Sequence, residues 1–413
     1  MSKLDELIQQ LCPVEVEWKP LGEVCEFRSG WGFPESEQGN KDGKYPFYKV
    51  ADMNNSALFM DKANNYISEE ISRKIKCKPA PKGTIIFPKI GATMATNKKR
   101  ILTQDSCYDN NIMGLVSNSI NTKFLFYYFS QFCLLDFAKG IGAVPSLDTN
   151  KLKKLEIPLP PLPVQEEIVR LLDRLTETTQ KCQAELEAEL DARKKQYEVY
   201  RNKLLSFDAS RTYVEWKKIE EFAKCCAGAT PKTEKKEFWE NGTIPWMSSG
   251  EVNLEEVHST EKFITQAGYD SSSTKMLPKN TVVIALAGQG KTRGTVAITR
   301  IELCTNQSLC GIVLNNNKVY SDYLYYYLKG QYETLRKISS GDGTRGGLNL
   351  KMINNFQIPL PPLSEQQRIV NILDRMDKTH KELCQSIETE IKMRKQQYEY
   401  YRIQLLGFKK KED

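Results

Sequence analysis

The sequence predicts a mixed α/β protein built as a tandem repeat, in which each copy has a globular domain followed by one long helix. The first observation is a duplication: residues 157–205 and residues 358–406 align without a gap, and about half of their positions are identical. The second is a heptad spacing of apolar residues inside both segments, which is typical of long paired helices. The third is the alternation of short β-rich runs with turn-forming residues before each segment.

The N-terminus reads MSKLDELIQQLCP and carries acidic residues with no apolar segment behind them. This composition argues against a signal peptide. Residues 4–11 precede Trp18 much as residues 200–207 precede Trp216. We therefore interpret residues 1–15 as a helical stub that stands in for the end of a missing earlier helix.

Two globular regions are predicted, over residues 16–156 and residues 208–357. They match each other weakly, at VEWK from 16 and 214, Gly30 and Gly228, Asp52 and Glu251, Cys107 and Cys304, and the aromatic runs from 124 and 323. Strands are predicted over 84–87, 281–286 and 311–314, and aromatic helices over 124–137 and 323–336. The tyrosines of these helices, Tyr127, Tyr128, Tyr325, Tyr326 and Tyr327, are predicted to pack rather than to stack on bases.

The two duplicated segments, 157–207 and 358–408, are each predicted to form one long helix. The heptad stripe runs from Ile168 to Leu204 in the first and from Ile369 to Leu405 in the second. Residues 165–205 alone would span roughly 60 Å. The proline-rich start predicts extended backbone before the helix, and Ser364 with Gln367 fits a capping box in the second copy. A helix with such a seam needs a partner, and the other copy is the obvious one.

Composition excludes several classes of protein. The formal net charge of +7 permits a polyanionic partner without demonstrating one. Eleven cysteines without a CxxC pair argue against a disulfide framework or a zinc ribbon and fit a cytoplasmic protein. With only two histidines in the sequence, a histidine-based metal site and Ser-His-Asp catalysis are nearly excluded. No apolar run approaches the ~20 residues that a membrane helix needs.

One motif resembles a phosphate-binding loop. Residues 288–292 read GQGKT, but Ala285 stands where that loop needs its first glycine. The alternatives are a nucleotide site, a turn between strands, or a loop that faces DNA. We find neither the Asn-Pro-Pro-Tyr or Asp-Pro-Pro-Tyr tetrapeptide of amino-methyltransferases nor a glycine fingerprint for S-adenosylmethionine. We therefore expect no catalytic residue, cofactor or metal in this chain.

Basic and polar residues near predicted turns are the candidates for DNA contact. Charged side chains would hold phosphates, and polar ends nearby would read base edges. The candidates are Lys49, Lys89, Lys98, Lys99, Arg100, Ser248, Lys291, Arg293 and Arg345. Lys49 and Ser248 occupy related positions in the two copies.

The whole chain resembles the specificity subunits of type I restriction–modification systems. The resemblance is carried by two variable regions, each followed by IPLPPLxxQxxIVxxLD and a long helix; Val164 stands where the second copy has Glu365. It implies two target recognition domains in a pseudo-two-fold arrangement, separated by an antiparallel pair of coiled-coil helices. Each domain would read one half of a bipartite, asymmetric site in double-stranded DNA, and the helices would fix the gap.

The resemblance also implies partners. Two adenine methyltransferase subunits would dock on the chain, and restriction subunits that translocate and cleave DNA would complete the system. S-adenosylmethionine, ATP and Mg²⁺ would bind to those partners. Two other interpretations stay open: a coiled-coil scaffold that binds proteins, and a single-chain DNA-modifying enzyme.

Overall fold

The chain divides into two compact units. The computed structural model describes residues 3–11, 16–117, 119–139, 145–207, 213–288, 292–315, 317–339 and 347–410. The first unit comprises residues 1–185 and 390–413, and the second unit comprises residues 186–389. Each unit has its own large apolar core.

Short strands form the globular part of the first unit. They are β1 Glu17–Pro20, β2 Cys25–Ser29, β3 Tyr45–Tyr48, β4 Phe59–Met60, β5 Tyr66–Ile67, β6 Ile85–Pro88, β7 Arg100–Leu102, β8 Cys107–Tyr108, β9 Ile112–Ser117, β10 Ala138–Lys139, β11 Ser146–Leu147 and β12 Glu156–Leu159. A five-stranded sheet has the order β2-β9-β6-β7-β4, and a three-stranded sheet has the order β5-β3-β8. The buried apolar strand predicted over 84–87 is therefore the centre of the larger sheet.

The second unit repeats this topology. Its strands are β13 Glu215–Lys218, β14 Ala223–Ala227, β15 Ile244–Met247, β16 Glu256–Val257, β17 Lys262–Ile264, β18 Val282–Ala285, β19 Val296–Thr299, β20 Cys304–Thr305, β21 Leu309–Leu314 and β22 Gln357–Leu360. The five-stranded sheet has the order β14-β21-β18-β19-β16, and the three-stranded sheet has the order β17-β15-β20. The same order in both units confirms that the weakly matched globular regions are copies of one fold.

Helices are short except for one in each duplicated segment. The α-helices are α1 Lys3–Leu11, α2 Leu21–Val24, α3 Val50–Asn54, α4 Glu69–Lys74, α5 Thr122–Phe129, α6 Thr149–Lys153, α7 Leu162–Leu204, α8 Gln266–Asp270, α9 Ser321–Gly330, α10 Tyr332–Ile338, α11 Leu350–Asn354 and α12 Leu363–Leu406. Short 3₁₀ segments cover Glu35–Glu37, Gly91–Thr96, Leu134–Phe137, Ile219–Glu221, Lys236–Phe238 and Ser249–Leu254.

The two predicted aromatic helices are each broken into two pieces. The first stops at Phe129, where the Ser130 hydroxyl bonds to the Phe126 carbonyl at 2.7 Å, and a 3₁₀ turn follows from Leu134. The second is interrupted between Gly330 and Tyr332. A hydroxyl that bonds back to the preceding turn and a glycine both weaken a helix at these points. The predicted packing of their tyrosines is confirmed, because all five are buried.

The long helices α7 and α12 confirm the heptad interpretation. In the first unit, Thr176 Oγ1 lies 3.1 Å from Tyr398 Oη. In the second unit, Tyr197 Oη donates to Asp377 Oδ1 at 2.8 Å. Each unit therefore contains a part of α7 that bonds to a part of α12.

Each long helix begins inside its predicted segment, after the proline-rich start. The first starts at Leu162, and Pro163 lies in its first turn, where a missing N–H is tolerated. The second starts at Leu363, so Ser364 lies inside the helix and is not its N-cap. The predicted capping box is therefore wrong. Glu365 instead accepts two hydrogen bonds from Arg368, at 2.7 and 2.8 Å.

A buried glutamine anchors each long helix to the globular part of its unit. Gln366 donates to the carbonyls of Pro361 at 2.9 Å and Lys318 at 3.0 Å, and it accepts from the Tyr320 N–H at 3.0 Å. Gln165 makes the equivalent bonds to Pro160 and Asn121. Both side chains are at most 3% exposed, so each supplies hydrogen bonds to backbone groups that water cannot reach. The Q of the IPLPPLxxQ motif therefore has a structural role.

We expect Gln366→Ala to destabilise the second unit by about 2 to 3 kcal/mol, because buried backbone groups lose their partners. That loss should lower the melting temperature by roughly 4 to 10 °C, measured by thermal denaturation. The matched control is Gln367→Ala, which removes only an exposed bond to Asn371. Equal melting temperatures for the two variants would contradict the anchoring role.

The C-terminal end of α12 completes the core of the first unit. Leu406 is 2% exposed within that core, and Leu405 and Phe408 pack against it. The indole N–H of Trp18 donates to the Lys409 carbonyl at 3.3 Å, and the Lys410 ammonium pairs with Glu156. The stub predicted before residue 16 is α1, whose Leu4 is buried in the same core and whose Lys3 pairs with Glu167 at 3.3 Å.

Candidate nucleic-acid interface

One tight turn has the same geometry in both units. In the first unit it joins β8 to β9: the N–H of Asp109 donates to Tyr48 at 2.9 Å, and the Asp109 carboxylate accepts from the Asn111 N–H at 2.8 Å. In the second unit it joins β20 to β21, where Asn306 bonds to Met247 at 3.1 Å and accepts from Ser308 at 3.1 Å. We call this element the edge turn; it comprises residues 109–112 and 306–309.

A glycine packs against each edge turn. A Cβ on Gly30 would lie 1.9 Å from the Asp109 carbonyl oxygen, and a Cβ on Gly228 would lie 2.0 Å from the Thr305 carbonyl oxygen. Only glycine fits at such a distance from backbone. The matched glycines therefore allow the end of β2 to lie against the edge turn of the first unit, and the end of β14 to lie against Thr305, the residue before the edge turn of the second unit.

Two of the predicted cations lie around the edge turn of the first unit. Lys49 follows β3, and its ammonium lies 2.5 Å from Gln38 Oε1 and 4.0 Å from the ring centroid of Phe33. Lys89 follows β6, and its ammonium bonds to the Ser29 hydroxyl. The charge of Asp109 acts on both cations. The three residues form a charged cluster that is only partly exposed.

Burial dominates the pKa values in this cluster. It lowers the pKa of Lys89 and raises the pKa of Asp109, whose bonds from Asn111 and whose neighbour Lys49 act in the opposite direction. A phosphate that approached Lys89 would favour its charged form. An anion at Lys89 would thus strengthen a positive charge that burial weakens, whereas it would further disfavour the negative charge of Asp109.

The edge turn of the second unit carries neutral groups at the same positions. Ser248 replaces Lys49, Leu286 replaces Lys89 and Asn306 replaces Asp109, as the shared backbone bonds show. The Thr230 hydroxyl bonds to Gln307 Oε1 beside the turn. One backbone frame therefore presents charged groups in one unit, and a hydroxyl, an apolar side chain and an amide in the other.

Lys49 and Ser248 share a second feature that the sequence matches indicated. Each precedes a short helical turn whose buried carboxylate accepts from the residue's N–H, from Lys49 to Asp52 at 2.7 Å and from Ser248 to Glu251 at 2.6 Å. The Ser248 hydroxyl also donates to Glu251 at 2.8 Å. The matched acids Asp52 and Glu251 are therefore capping residues.

Three neighbouring candidates in the first unit are held by protein groups. Lys98 donates to Asn54 Oδ1 at 2.7 Å. Arg100 donates to the Ser56 and Lys99 carbonyls at 2.9 and 2.7 Å. Lys99 is 3% exposed, and its ammonium donates to Asn97 Oδ1 at 2.8 Å and to a backbone carbonyl at 2.9 Å. Lys99 is placed for packing rather than for contact with DNA, because its ammonium points into the unit.

Arg293 also lies inside its unit, at 7% exposure. Lys291 and Arg345 lie outside the described residues. Two described residues near these segments bond to each other, because the Leu348 N–H donates to the Leu286 carbonyl at 2.9 Å. Leu286 adjoins the edge turn through a bond from its N–H to the Ser308 carbonyl at 2.8 Å.

Lys99 gives a pH-dependent prediction. Burial lowers its pKa from 10.5 to about 8, so the folded state binds this proton more weakly than the unfolded state does. Below pH 8 both states are protonated and the burial cost is present in full. As the pH rises from about 8 to 10.5, the folded state releases the proton before the unfolded state does. The free energy of unfolding therefore rises by about 3 kcal/mol over this range.

We expect the stability difference between the wild type and Lys99→Met to shift in favour of the wild type when the pH rises from 7 to 9.5. Urea unfolding of both proteins at both pH values measures it, and other titrating groups cancel in the comparison. The exposed lysine variant Lys82→Met serves as a control and should show no such shift. A constant difference for Lys99→Met would contradict the burial of a charged ammonium.

Sequence reasoning missed the edge turn itself. The matched cysteines at 107 and 304 indicated the strand before it, but the turn residues differ between the copies.

Among the described residues, no helix combines the length and hydropathy needed to cross a bilayer. Within the same ranges, no three His, Cys, Asp or Glu side chains are grouped to bind a metal.

Comparisons with known proteins agree with the fold and the repeat. The family described as the type I restriction modification DNA specificity domain matches residues 13–192 and 213–393. The specificity subunit of the type I restriction enzyme EcoR124I/EcoR124II of Escherichia coli is 32% identical, over 100% of this chain and 99% of the relative. A putative type I specificity subunit of Haemophilus influenzae is 27% identical, over 95% and 96% of the two chains.

Two solved structures share the fold. A chain from a study of the assembly and conformational transition of the type I R-M system has a TM-score of 0.76 at 18% identity, and the match covers 95% of this chain and 98% of that one. The HsdS subunit of Thermoanaerobacter tengcongensis has a TM-score of 0.57 at 17% identity, with 95% and 97% covered. With two copies of the family domain and a full-length relative above 30% identity, this chain belongs to the specificity subunits of type I restriction–modification systems.

Proposed function

We propose that each unit reads one half of a bipartite, asymmetric site in double-stranded DNA through its edge turn and the residues around it. The observation that carries this proposal is one backbone frame with different side chains in the two units. A shared frame supports the same docking on DNA, and different side chains support different base sequences.

The charges suggest how the two half-sites are held. In the first unit, Lys49 and Lys89 would contact phosphates, and the hydrogen-bonded Lys98 and Arg100 would position the loop behind them. In the second unit, Ser248 lies beside the edge turn, and Lys291 and Arg345 are proposed to contact phosphates there. Contacts with phosphates make binding fall as salt rises, because bound counterions are released.

The long helices have two further roles in this proposal. Their length would fix the number of base pairs between the half-sites. Their outer faces would dock two adenine methyltransferase subunits. Large exposed side chains lie at equivalent positions of the two helices and suit this role: Val199 (63% exposed) corresponds to Tyr400 (59%), and Tyr200 (50%) corresponds to Tyr401 (44%). Tyrosine with an apolar ring and a polar end is frequent at protein interfaces.

The chemistry is proposed to lie in the partners. Methyl transfer with S-adenosylmethionine would be carried out by the docked methyltransferases, and ATP- and Mg²⁺-dependent translocation and cleavage by restriction subunits. In this scheme the chain works in the cytoplasm, selects the site and transfers no group itself. Methyl transfer from labelled cofactor by the purified chain alone would contradict this division of work.

Mapping methylated adenines in the genome of a host that expresses the chain with its cognate methyltransferase tests the function. We expect one bipartite motif with a fixed gap, and DNA affinity that falls as salt rises from about 50 to 200 mM. The coiled-coil scaffold predicts neither result.

Removal of facing heptads from α7 and α12 together should abolish activity or shorten the gap by about three base pairs, since seven residues span about 10 Å. Activity on the original gap would refute the role of the helices in setting the gap.

The docking surface is tested separately from DNA reading. We expect Tyr401→Asp and Tyr200→Asp each to weaken methyltransferase assembly by at least about 30-fold, the effect of removing an aromatic anchor. Lys392→Asp, an exposed charge change on α12, is the control. Analytical ultracentrifugation of the mixed subunits measures the effect, and unchanged assembly in both tyrosine variants would exclude this surface.

A further inference from the structure

The second residue of each edge turn is an exposed amide side chain; in the first unit Asn111, which bonds to Asp109, is exposed as well. Asn110 follows Asp109 in the first unit, and Gln307 follows Asn306 in the second. The backbone bonds on both sides of the two residues are the same, so they occupy one position in the repeated fold. The side chains around that position differ between the units, whereas the amide group is present in both.

Turn preference does not account for both residues. Asparagine is common in turns, but glutamine is not among the residues that turns favour. Gln307 is exposed, yet its Oε1 accepts a bond from the Thr230 hydroxyl, which holds the amide in place. Among the described residues, none bonds to the side-chain amide of Asn110. In both cases an amide N–H₂ remains available at a turn that its backbone bonds make rigid.

The amide group has a specific counterpart in DNA. The side chains of asparagine and glutamine pair with adenine through two bonds, from the amide N–H₂ to N7 and from the adenine N6 to the amide oxygen. The bond from Thr230 leaves one lone pair on Gln307 Oε1 for such an acceptor role. Lys89 in the first unit lies beside the turn, because its N–H donates to the Asn111 carbonyl at 2.8 Å, and it would hold a nearby phosphate.

We propose that Asn110 and Gln307 are equivalent base-reading residues, each of which recognises one adenine in the major groove of its own half-site. This inference rests on the proposed function and adds to it the residue and the base that is read. Neither residue is charged or belongs to a predicted basic cluster, so residue type alone does not distinguish them in the sequence.

Selection from a library of random DNA duplexes tests the proposal on the full chain. We expect Asn110→Ala to lose discrimination at one A·T position of one half-site, by roughly 5- to 100-fold, and Gln307→Ala to lose it at one A·T position of the other half-site. Gln307→Glu should change the preferred base at that position from adenine to cytosine, because a carboxylate only accepts hydrogen bonds and pairs with cytosine N4.

Exposed amides away from the edge turns provide matched controls. Gln104→Ala in the first unit and Gln266→Ala in the second should leave the selected motif unchanged. Melting temperatures equal to that of the wild type show that each variant is folded, as expected for exposed side chains.

The possible failures are distinguishable. No sequence preference in the wild type would refute the proposed function and this inference together. A bipartite motif in the wild type that stays the same in Asn110→Ala and Gln307→Ala would refute the inference alone. A change at a G·C position of the motif would also refute it, and so would a single variant that changes both half-sites.

Discussion

Replacement of residues 16–156 by the matching segment of a relative should change one half of the methylated motif completely and leave the other half and the gap unchanged. Each unit has its own core and its own edge turn, so the new segment alters the side chains of one reading surface only. Methylome sequencing of a host that carries the hybrid with the cognate methyltransferase measures the result.

The graft must restore a small set of contacts with α7. Tyr127 donates to Asp173 Oδ1 at 2.8 Å, Lys123 pairs with Asp173 at 2.6 Å, and the Asn121 N–H donates to Gln165. A donor segment that keeps these residues is the appropriate choice. The reciprocal graft of residues 214–357 should change the opposite half-site. A hybrid in which both halves change would show that the two units do not read DNA independently.

Truncation after Gln404 should unfold the first unit while the second unit stays folded. The deletion removes Leu406, Leu405 and Phe408 from the core of the first unit. Loss of a buried leucine side chain alone costs about 2 to 5 kcal/mol, so the combined loss approaches the ~5 to 15 kcal/mol stability of a whole domain. Hydrogen exchange followed by mass spectrometry should show lost protection in β2, β6 and β9 and retained protection in β14, β18 and β21.

Truncation after Lys410 is the control, because it keeps the Trp18 bond and the Lys410–Glu156 pair. A second variant, Leu406→Ala, tests the core contact without shortening the chain and should lower the stability of the first unit only. Full protection of β2, β6 and β9 after truncation at Gln404 would show that the end of α12 contributes little to that core.

The site was only partly predictable. The sequence matches led to Lys49 and Ser248 because local backbone patterns recur wherever the fold is repeated. Lys99 and Arg293 are basic residues in loop-like segments, yet both are buried. Whether a lysine ends in solvent or against Asn97 and a backbone carbonyl depends on segments distant along the chain. Asn110 and Gln307 carry no charge, and only the equivalent hydrogen bonds of the two edge turns place them at one position of the repeated fold.

The sequence by itself determined the tandem repeat, the two long helices and the family. Duplication and heptad spacing are periodic, and periodicity is a local property that needs no knowledge of distant contacts. Tertiary structure alone decided which cations face outward, that the motif glutamines Gln165 and Gln366 are buried anchors, and that residues 405–408 belong to the first unit. These features depend on contacts between segments far apart in the chain, where burial and hydrogen-bond partners, rather than residue type, set the role of a side chain.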